Sequence, residues 1–209
     1  MMKVESVASQ PDRAGRHTVR FDNGVVMRLY KQTVQDFGLF PGSELSDSAF
    51  EELRKAAGAM SAKMRAVRIV AASSVSKKDL EQRLVHKGED PDQAKAAVKW
   101  MEQLQLVDDH RTAEQIVQKC IHKGYGVTRA KQALYEKRIP KEYWEEVLSD
   151  YPEQTDAIAL YLESHLDDVN DPKKIRKVVD ALLRRGHSYN QIRKVLGQYS
   201  TDIEEIPEG

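Results

Sequence analysis

An internal repeat is the feature that most constrains how this chain can fold. Residues 77–98, 128–148 and 175–196 align on a shared leucine, which is followed three residues later by a base and then by a break. The aligned positions are Leu84, Lys87 and Gly88; Leu134, Lys137 and Arg138; and Leu182, Arg185 and Gly186. Apolar residues around the break recur at the spacing of one helix face, so each segment predicts two amphipathic helices around a turn.

A third helical segment precedes each pair, at residues 62–73, 109–123 and 153–166. The chain is therefore predicted to contain three tandem three-helix repeats at a spacing of about 50 residues. Because one such repeat buries its apolar face poorly alone, we expect neighbours to stack into an elongated, curved body that presents its surface to partners.

The first 60 residues follow a different pattern. Asp22, Asn23 and Gly24 stand between two β-prone runs, and Asn-Gly tolerates the positive φ angles of a tight hairpin turn. A Pro-Gly turn and an N-cap residue at Ser46 then predict a helix. We expect a β-hairpin-plus-helix module over residues 1–60, helical repeats over 61–108, 109–150 and 151–200, and an acidic tail over 201–209.

Composition favours a mainly α-helical fold. Aromatic residues make up only 7% of the 209 residues, whereas the strands of a β-sandwich favour aromatic and β-branched side chains. The single cysteine, Cys120, excludes an internal disulfide framework and favours a reducing cytoplasm. The first residues form no apolar signal segment and no run approaches a membrane span, so we expect a cytoplasmic protein that does not associate with membranes.

Two adjacent carboxylates and a histidine near the middle of the chain suggest a metal site or an acid–base site. Asp108, Asp109 and His110 have no H-x-x-x-H or H-E-x-x-H companion, and the six histidines are scattered without ligand spacing. Aspartate is a favoured N-cap, and a second acid suits the positive end of the helix dipole. The pattern therefore favours a helix start over catalysis.

Two glycines before the next helix loosely suggest a phosphate-binding loop. Gly124 and Gly126 lack the spacing of known phosphate loops, and no buried strand precedes them. The sequence favours Gly124 as a helix C-cap and Thr128 as the next N-cap. Cys120 lies inside an amphipathic helix, which favours packing over reactivity.

The net charge is zero, but the charges are segregated along the chain. Residues 119–141 contain seven bases and one acid, residues 142–171 ten acids and no Lys or Arg, and residues 173–194 eight bases and one acid. Either basic block alone is explained as well by a solvated helix face as by a binding surface. Two such blocks at equivalent places in consecutive repeats predict a basic stripe, suited to a nucleic-acid backbone or to a protein with acidic ridges.

The basic stripe comprises twelve candidate binding residues: Lys119, Lys123, Arg129, Lys131, Lys137, Arg138, Arg176, Lys177, Arg184, Arg185, Arg193 and Lys194. No aromatic ladder interleaves these bases, so a platform for stacking single-stranded nucleic acid is not indicated. We expect contacts with phosphates or carboxylates and no reading of base sequence.

Residues 104–139, LQLVDDHRTAEQIVQKCIHKGYGVTRAKQALYEKRI, strongly resemble the core motif of the RecX proteins, regulators of the bacterial RecA recombinase. The matching positions are Asp108, Asp109, Ala113, Gly124, Gly126 and Ile139. Residues 74–88 look like the family's Ser-x-x-Glu-Leu helix, and the hairpin followed by FGLFPGSEL is similar to the leader of longer members. The resemblance covers nearly the whole chain.

Four positions depart from the family pattern. An arginine that is usual near Ala72 or Ser73 is absent, and Gln105 stands where glycine is common. Cys120 occupies the place of an arginine, and Arg138 replaces the glycine of a Lys-Gly-Ile sequence. These changes alter the charge of the surface and leave the predicted fold intact.

The resemblance implies three tandem three-helix repeats, no catalysis, and binding in the groove of the RecA–DNA filament. Such binding blocks filament extension, ATP hydrolysis, strand exchange and the coprotease activity of the SOS response. We also expect a monomer without a cofactor, whose DNA contacts are weak and directed to phosphates. Two other hypotheses stay open on the residues alone. One is a sequence-dependent DNA-binding helical regulator, and the other is a metal-dependent hydrolase that uses Asp108, Asp109 and His110.

Overall fold

The computed structural model describes residues 1–199, which form a mainly α-helical protein with a small N-terminal sheet, as the sequence predicts. The acidic tail predicted over 201–209 lies outside the described residues. The chain divides into two compact units after Val107. Within residues 1–199, no helix combines the length and the apolar composition that a membrane crossing requires.

The first unit contains the sheet and the first set of helices. Its strands are Met2–Val7 (β1), Arg16–Phe21 (β2), Val26–Tyr30 (β3) and Glu44–Leu45 (β4). Its helices are Lys31–Asp36 (α1), Asp47–Ala72 (α2), Lys77–His86 (α3) and Pro91–Gln103 (α4).

The predicted hairpin is present and is part of a larger sheet. β2 and β3 pair in antiparallel fashion, and Gly24 in the turn has a φ of 80°. The antiparallel strand order is β3-β2-β1-β4, so two further strands, β1 and β4, extend the hairpin. Neither strand carries a local sequence signal, because their pairing partners lie far away along the chain.

Helix α2 joins the sheet to the first three-helix arrangement. The sequence predicted two helices here, whereas the structure has one of 26 residues, which runs through the module boundary expected at residue 60. Ser46 caps it as predicted, accepting a hydrogen bond from the Ala49 amide. Its first half packs Phe50 edge-on against Phe21 of the sheet, with 5.2 Å between ring centroids. Its second half packs against α3 and α4, so burial at both ends keeps the helix continuous.

The helices α2, α3 and α4 enclose an apolar core that is closed by a partly buried ion pair. Leu80, Leu84 and Met101 are fully buried in this core. Arg65 of α2 lies 2.6 Å from the carboxylate of Glu89, which also accepts a hydrogen bond from the Ser61 hydroxyl at 2.9 Å. The loop between α3 and α4 is therefore fixed to α2 by charge as well as by apolar contact.

Removing this carboxylate is expected to destabilise the first unit. Glu89→Ala leaves the Arg65 guanidinium, with only 31% of its side chain exposed, without its counter-charge. We expect a loss of about 2 kcal/mol in the free energy of unfolding, measured as a lower denaturant midpoint at constant slope.

The matched control for that change is an exposed ion pair of the same unit. Glu102 lies 2.8 Å from Lys77, and half of its side chain is exposed. Glu102→Ala should therefore cost less than about 1 kcal/mol. Equal losses for the two variants would contradict a stabilising role for the Arg65–Glu89 pair.

The second unit contains the other two sets of helices. Its helices are Asp109–His122 (α5), Val127–Glu136 (α6), Trp144–Leu148 (α7), Thr155–His165 (α8), Pro172–Arg184 (α9) and Tyr189–Leu196 (α10), with a 3-10 turn at Lys141–Tyr143 before α7. One core forms among α5, α6 and α7 around Leu134, and another forms among α8, α9 and α10 around Leu182.

The repeat seen in the sequence is a repeat of structure. The three aligned leucines, Leu84, Leu134 and Leu182, are all fully buried. The break that follows each of them is in the left-handed region, with φ of 89° at Gly88, 55° at Arg138 and 88° at Gly186. Arg138 thus holds a backbone conformation that favours glycine.

Candidate binding surface of the second unit

The second unit begins at the carboxylate pair. Asp108 is the N-cap of α5, and its carboxylate accepts a hydrogen bond from the Arg111 amide at 3.1 Å. The Thr112 hydroxyl donates to the Asp108 carbonyl at 2.6 Å. Asp109, the first helical residue, is buried in the first turn, where a carboxylate complements the helix dipole. The local chemistry of these residues is that of a helix start.

The His110 ring lies near two glutamates, and not near the carboxylates of Asp108 and Asp109. Its Nε2 lies 3.2 Å from the Glu146 carboxylate and its Nδ1 lies 3.8 Å from that of Glu114. Its ring meets Tyr143 edge-on. In the part of the chain from residue 1 to 199, no three His, Cys, Asp or Glu side chains are grouped so as to hold a metal ion.

The glycine pair after α5 forms a close backbone contact with the last repeat. Gly124 has a φ of 62° and turns the chain after α5. The Gly126 amide donates to the Arg185 carbonyl at 3.0 Å, and the Thr128 amide donates to the Gly186 carbonyl at 3.3 Å. The prediction that Thr128 caps α6 is wrong, because Gly126 is the N-cap. The Gly186 carbonyl thus accepts from one of the first amides of α6, a role that a capping side chain often fills.

His187 is buried in this same junction, with 4% of the residue exposed. Burial lowers the pKa of His187 below its usual range, and the positive charge of Arg185 lowers it further. A contact with the Gly124 backbone acts in the opposite direction. The folded state therefore favours the neutral imidazole.

The second unit should lose stability as the pH falls below about 6.5. An unfolded histidine takes up a proton near that pH, whereas folded His187 resists protonation, so acid favours the unfolded state. The measurement is the denaturant midpoint for unfolding of the protein at a series of pH values between 7.5 and 5. His187→Gln should reduce the slope, and His122→Gln, a change at an exposed histidine of the same unit, should not. An unchanged slope in His187→Gln would assign the acid sensitivity to other groups.

Cys120 is buried in α5, and burial raises the pKa of its thiol. A protonated, buried thiol packs as a small apolar group and is a poor nucleophile.

The twelve bases of the basic stripe are all in the second unit but differ in exposure. Nine are exposed, namely Lys119, Lys123, Lys131, Arg138, Arg176, Lys177, Arg184, Arg193 and Lys194. Arg129, Lys137 and Arg185 are half-buried. Arg129 pairs with Glu136 at 3.1 Å, and Lys194 lies 3.7 Å from Glu153.

Three of these bases converge on one cleft. Arg129 from α6 and Arg184 and Arg185 from the end of α9 line a cavity of about 300 Å³. Tyr125, Tyr161 and Ala181 complete its lining. The remaining nine bases are not part of this lining, so the structure assembles only a subset of the basic stripe into a concave site.

Arg185 holds the cleft together. Its guanidinium carbon lies 5.1 Å from the ring centre of Tyr125 and 5.3 Å from that of Tyr161, distances that allow cation–π attraction. Its Nη2 donates to the Lys123 carbonyl at 3.1 Å. Because three contacts fix this side chain, Arg185 has a structural role in addition to its charge.

Tyr125 and Tyr161 are site residues that the sequence alone does not predict. Tyr125 lies in the glycine turn that was singled out for its backbone, and Tyr161 lies inside α8 with no motif around it. The bases are not interleaved with an aromatic ladder along the chain, yet the fold brings two rings among them. Only the position of Tyr125 between Gly124 and Gly126 offered a signal.

The fold and this surface define a class: a protein of tandem three-helix units, preceded by a small sheet, with an arginine- and tyrosine-lined cleft. The family model for the second three-helix domain of RecX matches residues 108–148. Regulatory protein RecX of Vibrio parahaemolyticus is 27% identical over 146 residues, covering 68% of this chain and 94% of its own. Regulatory protein RecX of Clostridium perfringens is 23% identical over 197 residues, covering 91% of this chain and 92% of its own.

Solved structures agree in fold. A crystal structure of regulatory protein RecX superposes with a TM-score of 0.64 at 19% identity, covering 93% of this chain and 98% of that one. RecX from Lactobacillus salivarius superposes with a TM-score of 0.59 at 21% identity, covering 68% of this chain and 97% of that one. The fold is therefore that of the RecX crystal structures. The family model and the named relatives confirm the resemblance to the RecX proteins that the central motif predicted.

Proposed function

We propose that this protein is a negative regulator of the RecA recombinase. In this proposal it binds in the groove of the RecA–DNA filament and blocks filament extension, ATP hydrolysis, strand exchange and SOS coprotease activity. The observation that carries the proposal is the likeness to proteins named regulatory protein RecX over 94% of the length of one of them. The protein acts in the cytoplasm as a monomer and without catalysis or a cofactor.

The charges of the second unit support binding to an anionic partner. Within residues 1–199, six exposed bases of the stripe form neither an ion pair nor a ring contact: Lys119, Lys131, Arg176, Lys177, Arg184 and Arg193. An exposed cation without a counter-charge is available to a phosphate or a carboxylate from a partner. Phosphate contacts of this kind contribute affinity without reading sequence, which fits weak binding to DNA alone.

The test is ATP hydrolysis by the cognate recombinase on single-stranded DNA, with this protein added below one molecule per recombinase subunit. A regulator that blocks filament growth should inhibit at these ratios, because one bound molecule stops the addition of many subunits. Inhibition only at equal or higher ratios would contradict a block at the growing filament. No inhibition together with tight, sequence-dependent duplex binding would favour a DNA-binding regulator.

A further inference from the structure

The cleft of the second unit has the size and the lining of a small ligand site. Its volume of about 300 Å³ lies at the lower end of the range for ligand pockets, about 300 to 1,000 Å³. Three arginines and two tyrosines contribute to its lining, and of residues 1–199 no Asp or Glu does. A positively charged, partly aromatic cleft selects for a ligand that is both anionic and flat.

The three arginines of the cleft are not equally available. Arg185 is held between two rings and by the Lys123 carbonyl. Arg129 is paired with Glu136. Arg184 is exposed and forms no hydrogen bond or ion pair from its side chain within residues 1–199. Arg184 is therefore the cation that can bind an anion without breaking an existing contact.

The two rings also differ in what they can accept. Tyr161 has planar neighbours in both Arg185 and His165, and the His165 ring stacks on it with 4.0 Å between centroids at 9°. Tyr125 has one planar neighbour, Arg185, with the flexible Lys123 ammonium 5.9 Å from its ring centre. Tyr125 is therefore the ring that can take a further planar group.

We infer that this cleft binds one nucleotide of a single DNA strand, with the base against Tyr125 and the phosphate at Arg184. Single strands are commonly held by aromatic rings that stack bases beside cations that follow the backbone. An acidic peptide would satisfy Arg184 but would bring no flat group to the ring. The inference rests on the proposed function, which places the protein on a filament containing such a strand, and it adds a base contact that the charges alone did not predict.

The test is the affinity of the full chain for a fluorescently labelled oligothymidylate, measured by anisotropy at fixed salt. Arg184→Ala should weaken binding about tenfold. Arg111→Ala is the matched control, because Arg111 is also an exposed arginine of the second unit without an ion pair in residues 1–199 and does not line the cleft. It should change affinity by no more than about twofold.

The ring is tested by a pair of substitutions. Tyr125→Leu should weaken binding about tenfold, whereas Tyr125→Phe, which keeps the ring, should bind as the natural protein does. Thermal unfolding by circular dichroism identifies a loss due to misfolding, in which case Arg184→Ala, at an exposed position, decides the outcome. Unchanged binding in Arg184→Ala, or equal losses in Arg184→Ala and Arg111→Ala, would overturn the site.

Two further probes separate the alternatives. An abasic strand of equal length should bind the natural protein about tenfold more weakly than oligothymidylate; equal affinity would overturn the base contact. Oligoglutamate should not displace the DNA at comparable concentration; displacement that Arg184→Ala abolishes would assign the cleft to an acidic peptide. Inhibition of recombinase ATP hydrolysis is measured separately. Inhibition without DNA binding that depends on the cleft would reject the nucleotide site and leave the proposed function standing. DNA binding that depends on the cleft, without inhibition, would reject the proposed function and leave the nucleotide site standing.

Discussion

Replacing Gly126 with alanine is expected to destabilise the second unit by about 3 kcal/mol. An alanine Cβ at this position would lie 2.0 Å from the Gly186 carbonyl oxygen and 2.4 Å from the His187 amide nitrogen. Both neighbours are backbone atoms, so no rotamer change can relieve the contact. The backbone φ of Gly126 is −73°, which alanine adopts freely, so the whole effect comes from the lost close approach. The measurement is the denaturant midpoint for unfolding of the protein, compared between the variant and the natural protein.

Gly186→Ala should be at least as damaging, and a control in another repeat separates its two causes. Gly186 combines a φ of +88° with a Cβ that would lie 2.3 Å from the Arg129 amide nitrogen. Gly88, at the aligned position, has a φ of +89° and nothing within 4 Å of its Cβ. Gly88→Ala should therefore show the cost of the left-handed backbone alone, about 1 to 2 kcal/mol. If Gly186→Ala costs no more than Gly88→Ala, the close packing between the two repeats contributes nothing.

Reversing two exposed charges on α9 is expected to weaken inhibition of the recombinase at least about tenfold. Arg176 and Lys177 are exposed and form no ion pair within residues 1–199, so Arg176→Glu with Lys177→Glu changes binding without removing an internal contact. Like charge facing a phosphate or a carboxylate turns attraction into repulsion. The measurement is the concentration for half-inhibition of ATP hydrolysis across a salt series. The dependence of this concentration on salt should become less steep in the double variant.

The choice of these two bases follows from the structure. Reversal of Arg184 together with Arg185 would also break the contacts that Arg185 makes with two rings and a carbonyl, and a loss of inhibition would then be ambiguous. The matched control is Lys95→Glu with Lys99→Glu, two exposed bases on α4 that lie outside the basic stripe. An equal loss in both double variants would show that net charge, and not the stripe, sets the inhibition.

The sequence predicted the elements whose signals are local. The hairpin follows from Asn23-Gly24, and the helices follow from apolar residues at a helical period, with Leu84, Leu134 and Leu182 buried as their alignment requires. The central motif also predicted the resemblance to the RecX proteins, which the comparisons confirm. These predictions hold because a turn or an amphipathic helix depends on residues a few positions apart.

The sequence predicted less wherever distant segments decide the outcome. The strands β1 and β4, the continuity of α2 and the N-cap at Gly126 all depend on partners far along the chain. The cleft is the clearest case, because Tyr125 lies in the turn before α6, Tyr161 lies in α8 and Arg185 follows α9.

By itself, then, the sequence determined the three-helix repeats, the charge segregation and the family resemblance. Only the tertiary structure decided that Arg185 is fixed between two rings while Arg184 stays available. The physical reason is the contact between Gly126 and Gly186, where two missing side chains let the backbones of two repeats meet. That approach sets which arginines and tyrosines share a cleft, and no local pattern encodes it.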